Sequence, residues 1–259
     1  MDKVHTESYF LSAGEGNAEG EMSLPLLVSK LIDIATTHAN SLGIGNPSMA
    51  DIHAGWVLSR LTVEMERYPE VNSDYCISTW IESTNRHFSE RAFRIGAPDG
   101  STYGFARSIW MVMDTTDHSN VGLSHLNFTP EIIDGTRPPI ERQERHAPIV
   151  EPDSADRPRL ALVATAPAAT YRFQYCDIDY YRHVNTVRYV NILLNRFSLA
   201  EHDATLVRRL ELSFLHEAKY GMEIKILRCD QDTPLNSSFQ FTDENGTPLL
   251  FARIKRKNR

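Results

Sequence analysis

An internal repeat constrains this chain more than any other feature. Arg60-Leu61-Thr62-Val63 and Asp74-Tyr75-Cys76-Ile77 recur as Arg209-Leu210-Glu211-Leu212 and Glu223-Ile224-Lys225-Ile226, at an offset of 149 residues. Further on, Asp99-Gly100 through Phe105-Ala106-Arg107 recurs as Asn245-Gly246 through Phe251-Ala252-Arg253, at an offset of 146. Three matches in the same order, one of them with a DG or NG pair upstream, exceed a chance recurrence of Phe-Ala-Arg. The chain therefore holds two versions of one structural unit. The fall in offset from 149 to 146 implies a shorter connection between paired strands of the second unit.

Each unit reads alike. A short strand comes first, about Glu7 to Leu11 and Thr170 to Tyr175; in the latter Tyr171, Phe173 and Tyr175 alternate with Arg172 and Gln174. One long helix follows, then four strands, the last two joined by the DG or NG turn that marks a hairpin. The first helix, about Ser23 to Leu42, carries Leu24, Val28, Leu31, Ala35, Ala39 and Leu42 along one stripe, with Ser23 as N-cap and Pro25 in its first turn. In the strand after it Leu61, Val63 and Met65 alternate with Thr62, Glu64 and Glu66. Leu210, Leu212 and Phe214 repeat that pattern, with Glu211, Ser213, Leu215 and Glu217 on the other face. One long helix and an antiparallel sheet long enough to curl around it make the hot-dog arrangement. Two in tandem make a double hot dog of the α+β class, a covalent version of a twofold dimer. The expected divisions are 1–118 for the first unit, 119–167 for a crossing linker and 168–259 for the second. Seven of the thirteen prolines fall between Pro130 and Pro167, and Arg142 to Arg145 and Glu151 to Arg159 read as solvated charge runs, so the linker is ordered but not a domain.

Charge and cysteine usage exclude several classes. The net charge of -7 argues against general nucleic-acid binding. Three cysteines, Cys76, Cys176 and Cys229, form no CxxC pair, which speaks against a disulfide framework and a cysteine zinc site. No leader segment is evident and no apolar run reaches membrane-span length, so the expected location is the cytoplasm. Five basic residues lie between Arg253 and Arg259; a solvated strand end and an electrostatic docking patch both fit them.

The two units differ where the chemistry lies. In the second, Asp177, Asp179, His183 and Asn185 fall between the strand and a helical pattern of Val187, Val190, Leu194 and Phe197. A helix start directs unpaired N–H groups and partial positive charge outward, and so can polarise a carbonyl or hold an oxyanion. Asp and Asn are equally ordinary turn and cap residues. The corresponding turn of the first unit, Ala13 to Glu21, has no histidine.

These features together resemble the acyl-acyl carrier protein (ACP) thioesterases, in the bacterial branch of the plant-type family. The resemblance runs through Gly55-Trp56 to Leu61, Glu64 to Pro69, Thr79-Trp80, Ala106 to Asp114, Asp179 to Tyr189 and Phe214-Leu215-His216-Glu217-Ala218. It implies catalytic roles for Asp179, His183 and Glu217. Tyr181 and Asn185 are the candidate substrate contacts, Asn185 being equally a cap, and no cofactor or metal is expected. The resemblance also implies hydrolysis of acyl-ACP to free fatty acid and holo-ACP in fatty acid biosynthesis, with the acyl chain housed in the histidine-free unit. Two positions depart from the plant pattern: Tyr181 stands where those enzymes have asparagine, and Ala218 where they have cysteine. Without that thiol, the expected chemistry is attack by a water activated through Glu217 and His183, with Asp179 orienting the imidazole. Glu217 and Asp179 both remain candidates for the base, and Cys176 is the minor candidate for a nucleophile. Rival readings are an acyl-CoA thioesterase, a hydroxyacyl dehydratase and a non-catalytic acyl-binding protein. Acyl-ACP is the expected partner, and a homodimer is left open.

Overall fold

The computed structural model describes residues 2–117, 119–154, 158–231 and 233–259. The chain divides into two compact units, Met1–Glu141 and Arg142–Arg259. The first contains strand β1 (Val4–Phe10), helix α1 (Leu24–Ser41), and strands β2 (Ala54–Met65), β3 (Asp74–Thr84), β4 (Ser89–Gly96) and β5 (Thr102–Asp114). Its antiparallel sheet runs in the order β1-β3-β4-β5-β2.

Helix α1 forms because its apolar residues recur every three or four positions: Leu24, Leu27, Val28, Leu31, Ile34, Ala35 and Ala39 are all buried. Ser23 occupies the N-cap position, but its side chain makes no capping bond. At the other end Gly43 takes φ 73°, a conformation open to glycine at little cost. Its N–H reaches the Asn40 carbonyl at 3.1 Å while Ile44 N–H reaches that of Ala39 at 3.0 Å, the paired closure of a Schellman turn. Ala39, Leu42 and Ile44 then join a buried cluster with Ile81, Val112, Leu123, Leu126 and Ile132. Chain beyond β5 thus becomes part of this unit's core. Burial of each large aliphatic side chain contributes about 1.5–3 kcal/mol.

The second unit repeats the pattern. A short parallel pair, β6 (Ile149–Val150) and β7 (Leu162–Val163), is followed by β8 (Ala169–Arg172), α2 (Thr186–Leu194), α3 (Leu199–Ala204), β9 (Thr205–Phe214), β10 (Glu223–Asp230), β11 (Asn236–Thr242) and β12 (Pro248–Asn258). Its sheet order, β9-β12-β11-β10-β8, is that of the first unit element for element. The hairpin glycines match as well, Gly100 at φ 87° and Gly246 at φ 83°.

Several expectations change. The connections between paired strands, residues 85–88 and 231–235, are not shorter in the second unit; the strands are, β3 having 11 residues and β10 having 8. The single helix expected in the second unit is broken into α2 and α3. Ser198 and Glu201 form a reciprocal capping box that starts a new helix, with Glu201 Oε2 accepting from Ser198 N–H at 2.8 Å. The strand expected over Thr170 to Tyr175 ends at Arg172. The polar face of β9 is also buried: Glu211 pairs with Arg209 at 2.7 Å, and Ser213 donates to Gln143 Oε1 at 3.0 Å.

The runs read as solvated are partly tied down. Glu144 pairs with Arg253 at 2.9 Å, and Glu151 with Lys225 at 2.6 Å; residues 155–157 of the second run lie outside the described residues. The basic C-terminal run is no free tail, because β12 carries it, paired with β9 across a register shift at Lys255/Arg256, as far as Asn258. Arg256 is buried, stacks 4.1 Å from the Phe197 ring centroid and donates to Glu201 at 3.2 Å and to the Pro234 carbonyl at 2.6 Å. Among the described residues no helix is long and apolar enough to cross a membrane.

Candidate active site

Where β8 ends, a sequence of backbone turns carries the chain to α2. Tyr175–Asp177 forms one 3-10 turn. Asp177 is buried and its Oδ2 accepts from the Tyr171 hydroxyl at 2.9 Å and Gln174 N–H at 2.7 Å, while its carbonyl accepts from Asn185 N–H at 2.8 Å. That carboxylate shapes the loop through Oδ2. Asp179 does similar work one step on: its Oδ1 accepts from the N–H of Tyr181 at 2.9 Å and of His183 at 3.2 Å. Its own N–H reaches the His183 carbonyl at 2.9 Å, and its carbonyl accepts from Arg182 N–H at 3.1 Å. Arg182 closes this turn at φ 70°, unusual for a side chain of its size and a mark of local strain.

Immediately after the turn, Val184 N–H bonds the Ala218 carbonyl at 2.9 Å and His183 bridges to Lys219. Those bonds clamp the segment following β9 against the start of α2, and they bring Glu217 to the histidine. His183 Nε2 lies 3.1 Å from Glu217 Oε2, with side-chain exposures of 30% and 36%, so the pair is partly exposed. Asn185 is the N-cap of α2, its Oδ1 accepting from Val187 N–H at 2.9 Å. With Asn185 N–H bonded to Asp177 and Arg188 N–H to Asn185, the N–H of Thr186 is left at the helix start with no partner among the described residues.

Of the expected residues, then, His183 and Glu217 meet through their side chains, whereas Asp179 and Asn185 act on the backbone. Tyr181 is half-exposed and packs on Tyr180, ring centroids 3.8 Å apart. Burial, then its hydrogen bond with Tyr180, pushes its phenol up to about 12, so it remains a neutral donor. Ala218 is buried, and the Cys229 thiol is buried in β10, its pKa raised by desolvation. Cys176 is exposed in the 3-10 turn. One further residue belongs to this neighbourhood. Tyr189 is buried against Phe173, Phe214 and Phe241, and its phenol is held protonated by burial and then by the charge of Glu217. Its signal in the sequence is its place one helical turn beyond the Asn185 cap, on the apolar face of α2. Among the described residues no cluster of His, Cys, Asp and Glu is arranged to hold a metal ion.

Two helix-and-sheet units of one topology, the second with an imidazole–carboxylate pair ahead of α2, define a hot-dog protein. Family models described as the acyl-ACP thioesterase N-terminal domain and C-terminal domain match residues 2–123 and 162–255, and the chain belongs to the acyl-ACP thioesterase family. Palmitoyl-acyl carrier protein thioesterase of Gossypium hirsutum is 22% identical over 250 residues, covering 93% of this chain and 56% of the relative. Oleoyl-acyl carrier protein thioesterase 1 of Arabidopsis thaliana is 21% identical over 257 residues, covering 93% and 65%. The chain thus spans about half to two thirds of the length of these curated relatives. The solved structure of an acyl-ACP thioesterase from Bacteroides thetaiotaomicron superposes with a TM-score of 0.85 at 24% identity, covering 98% of each chain. The 12:0-ACP thioesterase of Umbellularia californica gives 0.78 at 17%, covering 100% of this chain and 99% of that one. Both likenesses are likenesses of fold.

Proposed function

We propose that this protein hydrolyses the thioester of an acyl chain carried on acyl carrier protein, releasing free fatty acid and holo-ACP in fatty acid biosynthesis. The observation that carries the reading is the 3.1 Å contact between His183 and Glu217, three residues ahead of α2, in a chain of this family. A thioester carbonyl is already electrophilic, so the site needs an activated water, a polariser and a place for the leaving thiolate. Glu217 accepts the proton as water attacks the carbonyl carbon. His183 holds the water and the carboxylate in line, and Thr186 N–H with the positive end of α2 meets the developing oxyanion. Collapse breaks the carbon–sulfur bond, and the proton held by the Glu217–His183 pair passes to the thiolate. Asp179 serves this chemistry through the main chain, by fixing the turn that presents His183. Tyr181, two residues before the histidine, carries a neutral O–H where the plant pattern has an amide. No cysteine takes part.

In this reading the N-terminal unit houses the acyl chain and the protein works in the cytoplasm. A second copy of the chain is not needed for the chemistry, because His183 and Glu217 come from one chain. The exposed Arg182 and Lys219 flank the pair and give an acidic carrier a local positive surface despite the net charge of -7. The test is a panel of acyl chains of varied length, each presented on ACP and on CoA, with free acid as readout. Faster release from ACP, weakening as salt rises, is expected. Faster release from CoA at every length would shift the assignment to an acyl-CoA thioesterase, and no free acid from either carrier would end the hydrolytic reading.

A further inference from the structure

Among the described residues, the interior of the N-terminal unit holds a cation with no anion beside it. Arg91, on β4, is 4% exposed. Its Nη1 donates to His38 Nδ1 on α1 at 2.8 Å and to Thr79 Oγ1 on β3 at 3.3 Å. Both acceptors are uncharged. His38 Nε2 lies 3.2 Å from the Asp2 carbonyl, which takes the ring proton and leaves the Nδ1 lone pair facing Arg91. Burial, then the charge of Arg91, holds His38 down at about 4, so the imidazole stays neutral. The nearby carboxylates are directed elsewhere: Glu90 accepts from Ser83 at 2.9 Å and Glu82 pairs with Arg107 at 2.7 Å. Among the described residues no carboxylate pairs with Arg91, and both of its side-chain hydrogen bonds run from Nη1. A buried guanidinium in that condition is strongly unfavourable unless something completes it. Burial alone draws its pKa down to about 10, which leaves it charged at neutral pH.

The Nε/Nη2 edge, which neither of those bonds uses, presents two parallel donors, a geometry that fits one planar carboxylate with two hydrogen bonds. We propose that Arg91, backed by His38 and Thr79, is a carboxylate-binding site inside the N-terminal unit. Its surroundings suit an acid with an alkyl body. Ile81, the cross-strand partner of Arg91, belongs to the apolar cluster that contains Ala39 and Leu42. A polar approach exists along edge strand β1. Half-buried His5 stacks on His38 with centroids 5.6 Å apart, and its neighbour Glu7 is held by His5 at 2.9 Å and by the Tyr9 hydroxyl. A small free acid and the carboxylate end of a fatty-acid chain share this chemistry. The site stands independently of the hydrolytic reading.

The test is a thermal-shift titration of the full chain with acetate, octanoate and uncharged octanamide, repeated on Arg91→Met. Octanoate should raise the melting temperature saturably and octanamide should not, and the apparent affinity for octanoate should fall at least tenfold in R91M. Acetate acting as strongly as octanoate assigns the site to a small free acid; a requirement for the alkyl chain assigns it to a chain end. Octanoate held at His183 instead would be weakened by His183→Ala and untouched by R91M, which separates failure here from failure of the hydrolytic reading. No shift with either acid, or equal affinity in R91M, overturns the proposal. Should R91M not fold, Arg91→Lys keeps the charge beside His38 without the two-donor edge, and binding within twofold of native overturns it equally.

Discussion

Asp179 offers the sharpest separation between holding a loop and doing chemistry. Its Oδ1 accepts two backbone N–H groups, from Tyr181 and His183, at 2.9 and 3.2 Å. Asp179→Asn keeps an acceptor at that atom and loses only the charge. Charge-assisted bonds are worth about 1.5–3 kcal/mol and neutral ones about 0.5–1.5, and the turn is partly solvated, so the loss is about 1 kcal/mol. Asp179→Ala leaves both N–H groups to water and frees the strained Arg182 turn, at about 2–3 kcal/mol. If the turn must be closed for reaction, kcat/KM on an acyl-ACP should fall about fivefold in D179N and about 30- to 150-fold in D179A, at 1.36 kcal/mol per decade. Amide exchange at Tyr181 and His183 reports the turn directly, and should quicken in the same order. D179N as inactive as D179A, with exchange at both amides unchanged, would refute the reasoning and put the Asp179 charge on the reacting groups themselves.

Two further outcomes follow from the packing. Arg256→Ala should lower stability by about 2–3 kcal/mol through loss of its bonds to Glu201 and Pro234 and its stacking on Phe197, whereas exposed Lys255→Ala should stay within about 0.5 kcal/mol, both read from denaturant unfolding. His38 should make the fold acid-sensitive. Its folded pKa of about 4 lies below the ordinary 6.5, so the unfolded chain binds the proton first, and the stability it supports above pH 6.5 is lost progressively as pH falls toward 4. His38→Gln should flatten the melting temperature across that window; an unchanged slope would mean that His38 is not buried neutral.

The repeat made the architecture legible because two copies of one unit must bury the same face of the same strands, so Leu61, Val63 and Met65 predict Leu210 and Leu212. The DG and NG turns were equally plain, since few other residues accept the positive φ at Gly100 and Gly246. The break between α2 and α3 was written in Ser198-x-x-Glu201, but the apolar spacing through Phe197 masks it. Pairing of His183 with Glu217 is set by a backbone clamp from Val184 to Ala218, across residues far apart in sequence, and residue types alone point to it only through family resemblance. Arg91, His38 and Thr79 come from two strands and a helix, and their meeting depends on strand register that no local pattern encodes. The C-terminal basic run shows the converse. Its charge pattern fits a solvated end and a docking patch alike, whereas in β12 Arg256 is buried and Arg253 is half-buried and paired with Glu144.

The central claim is that Glu217, held by His183, activates the water that cleaves an acyl thioester. The direct measurement is single-turnover release of free fatty acid from acyl-ACP by the native chain and by Glu217→Gln, with acyl-ACP binding measured alongside. Glutamine keeps the size and a hydrogen bond to His183 but accepts no proton, so the rate should fall by about two to four orders of magnitude while binding stays within a few-fold. Retention of more than a tenth of the native rate by E217Q would contradict the account.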